Sequence, residues 1–381
     1  MRVFVIAGEP SGDALGQAVM AGLRARVPDI RFDGVGGPLM AGEGLESRFP
    51  MDELSLMGLV EILPKYFHLK RRIRELAEAI AADPPDLLLT IDSPDFCLRV
   101  ARAARALVPG LRTTHYVAPS VWAWRPERAT RMAEVIDHVL ALLPFEPPYM
   151  EAAGMACDFV GHPVVTRPHA TEEEVARFRE DTGIGDAPVV LVLPGSRRGE
   201  VNRLAPRFGP ALAQVLERRP GMRVVVPCAA PVAGLVAELT RGWPGRPVLI
   251  RPEADEGGIA KRAAFHAAEV ALAASGTVSL ELAHAGTPMV IAYDMNPLTR
   301  RIMERKLLID TVTLVNLVSD TRVVPECIGR HCTPGRIAAA LEDVMAAPAA
   351  QADALRLTME RLGAGGQYQG DRAAEAILNR F

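Results

Sequence analysis

Short runs of apolar residues alternate along the chain with longer stretches in which apolar positions recur every three or four residues. Residues 3–7, 31–35, 87–91, 113–117 and 139–143 read as strands, most of them apolar enough to be buried on both faces. Stretches between them, such as 13–26 and 98–107, carry the helical spacing. The pattern then restarts, with strand-like runs at 189–193, 224–226, 248–250, 270–273 and 289–292. This alternation predicts an α/β fold of two doubly wound halves in tandem, each a parallel sheet with helices on both faces. The Pro- and charge-bearing stretch 161–174 is the expected linker, giving a domain over 1–165, a second over 166–347 and a helical tail over 348–381. In open sheets of this kind ligands bind outside the carboxyl ends of the strands. Two such sheets facing each other would enclose a cleft, so the strand-end loops are where chemistry is sought.

Length supports the division, since 381 residues exceed one ordinary core and suit two domains of about 150 to 200 residues. A hydrophobic fraction of 49% and a charged fraction of 23% exclude wholesale disorder. A net charge of −3 gives no long-range attraction to nucleic acid, so any anion site must be local. The five cysteines are scattered, odd in number and without C-x-x-C, which predicts a reducing compartment and no structural metal. The chain enters a strand at once and holds no apolar run of the roughly 20 residues that span a bilayer, so neither a secretion signal nor an integral membrane protein is expected.

The first strand runs into AGEPSGDALG, where Gly8, Gly12 and Gly16 are spaced four apart instead of as G-x-G-x-x-G. Two carboxylates and Pro10 in that turn make a poor dinucleotide site, which disfavours an NAD-dependent oxidoreductase. Glu9, Ser11 and Asp13 either position a substrate or brace the turn. In LLLTIDSPDFCL, Asp92 and Asp95 follow a buried strand. A carboxylate held there can take a proton from a hydroxyl nucleophile, or cap the next helix as an Asx turn; two carboxylates alone rarely cage a metal.

The second half offers two anion sites at strand ends. Gly195, Ser196 and Arg197 precede one helix, and Ser275, Gly276 and Thr277 precede another, with Glu281 a turn further on and placed for two ribose hydroxyls. Each alone is also an ordinary helix cap, but the pair points to a nucleotide.

The stretch MDELSLMGLVEILPKYFHLKRRI sets Leu56, Met57, Leu59, Val60, Ile62, Leu63 and Phe67 beside Lys70, Arg71 and Arg72. This is either a contact with an anionic bilayer or a core helix with a solvated basic end. Trp122 and Trp124 lie beside Arg125 in HYVAPSVWAWR, for packing or for sugar and acyl contact. Aromatic residues total only 5%, which disfavours base stacking.

Together AGEPSGD, GVGGPLM, MGLVEIL, IDSPDF, HYVAPSVWAWR, LPFE, PGSRRGEV, ASGTVSLE and VNLV resemble the lipid-A-disaccharide synthase family, in that family's order and over most of the chain. The resemblance implies a GT-B fold, two Rossmann-like domains facing a central cleft, with the tail crossing back to the first. It implies inverting transfer of 2,3-diacylglucosamine from its UDP donor onto 2,3-diacylglucosamine 1-phosphate, giving the β-1′,6 disaccharide and UDP, without a cofactor or metal. Asp92 would be the base, Arg197 would pair with the donor diphosphate and Glu281 with its ribose. Asn316 would reach the nucleotide from V-N-L, where the family's segment reads P-N-L. Glu9, Ser11, Asp13, Asp95, Trp124 and Arg125 would face the acceptor or the cleft. The hydrophobic and basic stretch would dock a cytoplasmic protein on the inner face of the inner membrane. Arg300, Arg301, Arg305 and Lys306 are candidates for the acceptor phosphate or a solvated helix face. Competing readings are a UDP-sugar 2-epimerase, a peptidoglycan-type transferase and a non-catalytic nucleotide-sugar sensor.

Overall fold

A strand that is apolar on both sides must be covered on both sides, and here every strand of each sheet pairs in parallel. The structure, a computed structural model, describes residues 1–54 and 59–381, with the side chains of 59–66, 297, 298 and 304 outside the description. It divides into two units, Met1–Pro163 with Gly365–Phe381, and Val164–Ala364.

The first unit runs β1 (Arg2–Ala7), α1 (Pro10–Arg26), β2 (Arg31–Val35), α2 (Pro38–Gly42), α3 (Leu59–Ala82), β3 (Leu87–Ile91), α4 (Pro94–Leu107), β4 (Thr113–Tyr116), α5 (Glu127–Ala133), β5 (His138–Ala141), α6 (Pro147–Glu151) and β6 (Ala156–Phe159). Its sheet order is β2-β1-β3-β4-β5-β6. The second runs α7 (Glu172–Asp181), β7 (Val189–Leu193), α8 (Arg198–Arg218), β8 (Arg223–Pro227), α9 (Ala233–Thr240), β9 (Val248–Ile250), α10 (Ile259–Ala267), β10 (Val270–Ala274), α11 (Val278–Ala285), β11 (Met289–Tyr293), α12 (Pro297–Lys306), α13 (Leu314–Ser319), β12 (Glu326–Ile328), α14 (Pro334–Ala346) and α15 (Ala349–Arg361). Its order is β12-β11-β10-β7-β8-β9. The expected strands are present with ends shifted by a residue or two. Two strands were not expected, β6 and β12, both at sheet edges and only part-buried, so neither carries a continuous apolar run.

The strand order reverses once in each sheet: between β1 and β3, and between β7 and β10. There the following helices leave to opposite faces and open a crevice at the strands' carboxyl ends. The loops at these points are Gly8–Glu9 and Asp92–Ser93 in the first unit, and Pro194–Arg197 and Ser275–Thr277 in the second.

Small residues let the helices close on the sheet and on each other. At Gly22 a Cβ would lie 2.7 Å from the Gly370 carbonyl oxygen, because α16 (Gln369–Leu378) packs across α1. Arg26 of α1 clamps the contact from the rim, its guanidinium nitrogens each 2.7 Å from Asp371 and Glu375. The expected tail is thus shared: α15 packs on α11 and α13 of the second unit, and α16 on α1 of the first.

Gly22→Val should force α16 off α1 and cost about 1 to 3 kcal/mol, as overpacking does. Limited proteolysis would then release the segment after residue 364 while the second unit stays intact; an unchanged cleavage pattern would refute the close-packing argument.

Candidate functional site

At the first reversal point the chain is bent hard. Asp92 and Ser93 both hold positive φ, 52° and 44°, immediately before Pro94 starts α4. Of the six non-glycine residues with positive φ among the described residues, four (Asp92, Ser93, Val117 and Arg125) lie between β3 and α5. Val117 is β-branched, for which that region is a genuine outlier, and such strain clusters at functional edges. The Asp92 amide donates to the Tyr116 carbonyl at 2.9 Å, and its Oδ1 accepts the Ser93 amide at 2.8 Å. Its Oδ2 has no hydrogen-bond partner among the described residues. The turn packs on the β1 loop so closely that a Cβ on Gly8 would lie 2.9 Å from Ser93 Oγ.

The other residues expected at this end divide. Glu9 is the half-buried N-cap residue of α1, and Ser11 is exposed on its first turn. Asp13 is corrected to a structural role. It is 2% exposed, and its carboxylate accepts the amides of Gly37, Leu39 and Met40 at 2.9 to 3.0 Å, so both oxygens tie α2 to α1. Asp95 points out with its side chain 97% exposed, 3.8 Å from Arg128. The Arg125 guanidinium stacks over half-buried Trp124, 4.1 Å from the ring centre.

Trp122 turns inward, edge-on to Phe145 at 5.1 Å, and its indole N–H donates to Glu146 at 3.3 Å. Glu146, which no reading of the residues singled out, is 3% exposed and also accepts the Leu143 amide at 2.9 Å. Burial pushes its carboxyl up to about 7 against those hydrogen bonds.

In the second unit the two anion loops differ. At the end of β7, Gly195 has φ 113°, and a Cβ there would meet Glu200 Cβ at 2.7 Å. Glu200 is buried under the turn: Oε2 accepts the amides of Ser196 and Arg197 at 3.1 and 3.3 Å, and Oε1 meets the Arg197 guanidinium at 3.1 Å. The expectation that these two amides would face a phosphate is therefore corrected, because this carboxylate already caps them. Arg197 remains 73% exposed. At the end of β10, by contrast, the amides of Gly276, Thr277 and Val278 make no hydrogen bond among the described residues, at the N-terminus of α11. Ser275 Oγ donates to the Val312 carbonyl at 3.3 Å.

Glu281, one turn along, sits between Lys261 Nζ at 2.8 Å and the Arg167 guanidinium at 3.0 Å. Burial alone would raise its pKa, but these two cations hold it below the ordinary carboxylate value. Gly195, Ser196, Arg197, Ser275, Gly276, Thr277 and Glu281 line one cavity of about 430 Å³, together with Glu200 and Lys261. Asn316 does not join them. It is 1% exposed, with Nδ2 bonded to Thr311 and Val324 and Oδ1 to the Val324 amide, so every polar atom is spent holding the chain before β12.

Residues 3–377 match the sequence model of the family described as lipid-A-disaccharide synthetase. The chain belongs to the lipid-A-disaccharide synthase family. It is 66% identical to lipid-A-disaccharide synthase of Ruegeria pomeroyi, with 100% of this chain and 96% of that one covered. It is 47% identical to that of Rhodospirillum centenum, over 100% and 94%. Like this family it is a glycosyltransferase. Among solved structures it is similar to the UDP-GlcNAc 2-epimerase of Neisseria meningitidis bound to UDP-GlcNAc (TM-score 0.64, 12% identity, 100% and 99% covered). It is similar also to S. aureus MnaA with UDP (TM-score 0.64, 13% identity, 100% and 95% covered). At that identity the likeness is of fold alone, the GT-B architecture of two doubly wound units, and the epimerase reaction does not come with it.

The membrane stretch of the lipid-A-disaccharide synthase sequence is only partly visible. Leu56 and Met57 lie outside the described residues, as do the side chains of Leu59, Val60, Ile62 and Leu63. Phe67 is 80% exposed on α3, beside exposed Lys70 and Arg71. Arg72 is corrected: Glu53 holds it through two hydrogen bonds of 2.8 and 2.9 Å, above the Phe49 ring, so it braces the protein. Arg300 is likewise taken, by buried Asp294 at 2.6 Å. Among the described residues no helix is long and apolar enough to cross a membrane, and no cluster of three or more His, Cys, Asp or Glu is placed for a metal.

Glu146 gives a pH prediction. From about pH 4.5 to about 7 the folded state keeps a proton that the unfolded state releases, so stability falls as pH rises through that window, by about 3 kcal/mol in all. Urea denaturation at pH 5 and pH 8 should show this loss in the wild type and a smaller one in Glu146→Gln. Equal pH dependence would refute the protonated, buried carboxyl.

Proposed function

We propose that this glycosyltransferase moves 2,3-diacylglucosamine from its UDP donor onto 2,3-diacylglucosamine 1-phosphate with inversion, releasing the β-1′,6 disaccharide 1-phosphate and UDP. The carrying observation is Asp92, a carboxylate held in a strained turn with one oxygen engaged by the Ser93 amide and the other unpartnered among the described residues. Asp92 accepts the proton of the acceptor hydroxyl as that oxygen attacks the donor's anomeric carbon from the face opposite the diphosphate. The bond to the diphosphate breaks and UDP departs with the electron pair. Inversion in one displacement needs one base and a stabilised leaving group, with no covalent intermediate.

Donor binding falls to the second unit. The unfilled amides of Gly276, Thr277 and Val278 and the exposed Arg197 offer partial and full positive charge to a diphosphate. Glu281 accepts from the ribose hydroxyls while Lys261 and Arg167 keep it ionised. These charges are supplied by the chain itself. The acylated substrates are drawn from a membrane on the cytoplasmic side, the inner face of the inner membrane, against which Phe67, Lys70 and Arg71 of α3 rest.

Incubation with both acylated sugars should yield disaccharide and UDP in equal amounts, and Asp92→Asn should lower kcat by about 10² to 10⁴-fold while the protein stays folded. Full turnover by that variant would assign the base elsewhere. Anionic vesicles at low salt should co-sediment the protein, and Phe67→Glu or high salt should release it. Failure of the wild type to sediment would remove the membrane contact.

A further inference from the structure

A cavity of about 600 Å³ between α3 and α4 takes no part in the donor site. Its apolar wall is Leu54, Leu69, Ile73 and Phe96, and Lys70 and Arg99 bring two cations to it. It runs along the Ser93–Asp95 turn, so it begins one residue from Asp92. Its size lies in the range of about 300 to 1,000 Å³ typical of small-molecule sites.

Most of the described cations of the two helices are already paired. Arg71 and Arg72 on α3 pair with Glu75 and Glu53, and Arg102 and Arg105 on α4 pair with Glu134 and Asp137. Lys70, Arg74 and Arg99 have no carboxylate within ion-pair distance among the described residues, and of these Lys70 and Arg99 line the cavity. Of the acids on the same wall, Asp95 lies toward Arg128 and Glu9 already has a partner. A purely aliphatic ligand would need no unpaired cations, and a nucleotide would not need an aliphatic wall. An amphiphile carrying both an acyl chain and a phosphate uses both.

We propose that this cavity takes one acyl chain of the acceptor, and that Lys70 and Arg99 pair with the acceptor's phosphate, setting its sugar beside Asp92. This rests on the reading of Asp92 as the base toward the acceptor. It gives Arg99, which no motif marks, a specificity role, and moves Lys70 from a general membrane contact to a specific one.

The test is steady-state kinetics in nonionic detergent micelles free of phospholipid, with acceptors carrying and lacking the 1-phosphate. Arg99→Gln should raise the KM for the phosphorylated acceptor by roughly 10-fold, and Lys70→Gln with Arg99→Gln by more, while the donor KM holds and shows that the protein is folded. The gap from wild type should shrink to within about 2-fold on the acceptor without phosphate, since the lost charge–charge contact is then absent from both. Ile73→Trp, which narrows the cavity, should shift preference toward shorter acyl chains. An unchanged KM for the phosphorylated acceptor, or a loss seen only when anionic phospholipid is added, overturns the phosphate assignment; an unchanged chain-length preference overturns the acyl assignment. If the wild type itself forms no disaccharide, the reaction is misassigned, an outcome distinct from normal turnover with indifferent variants.

Discussion

The chemistry of this protein depends on one topological constraint, the single reversal of strand order within each parallel sheet. Right-handed crossovers put the helices after β1 and β3 on opposite faces, and likewise those after β7 and β10. Only there do two neighbouring strand ends face open space without a helix across them. Asp92 and Gly8 occupy the first such gap, and Gly195 and Gly276 the second. The strained backbone at Asp92 and Ser93 is held because β3 is fully buried and α4 is anchored behind it by Cys97, Val100 and Ala101. A rigid sheet thus keeps a carboxylate in a conformation that a free peptide populates only as a minor state.

The two loops of the second unit show how similar sequences take different electrostatic fates. Both are glycine turns with hydroxyl residues before a helix. In one, Glu200 lies three residues past the N-cap and folds back onto the amides, which makes the turn rigid and leaves its arginine side chain outside. In the other the acid is Glu281, four residues past the N-cap, where Lys261 and Arg167 draw it sideways and the amides remain open. The spacing of one acid relative to the cap decides whether a helix terminus is capped from within or left open.

Much of the fold was legible because buried parallel strands need continuous apolar runs, and the central ones have them. The edge strands β6 and β12 lack them, as ACDF and ECI show. Within the site, Asp92 and the glycine turns were legible as residues in a motif. Asn316 and Arg72 were misread, and Asp13 was left open between two roles, because a polar residue in a motif is the same letter whether it faces a ligand or a buried amide. Partners such as Gly37, Val324 and Glu53 are set by tertiary packing, 24, 8 and 19 residues away. Lys261 carried no local signal, and Glu146 only its place at the end of LPFE, an acid after two apolar residues and a proline.

The last helix has a consequence for how the protein is made. The second unit is continuous in sequence and is complete once residue 364 has been synthesised. The first is not, since α16, which follows the whole of the second unit in sequence, fills the face of α1 with Ala373, Ala374 and Ile377. While the second unit is being made, then, the unit bearing Asp92 keeps an apolar groove open on α1. Its closure waits on a helix made after the whole of the second unit, and losing that helix would loosen packing at α1.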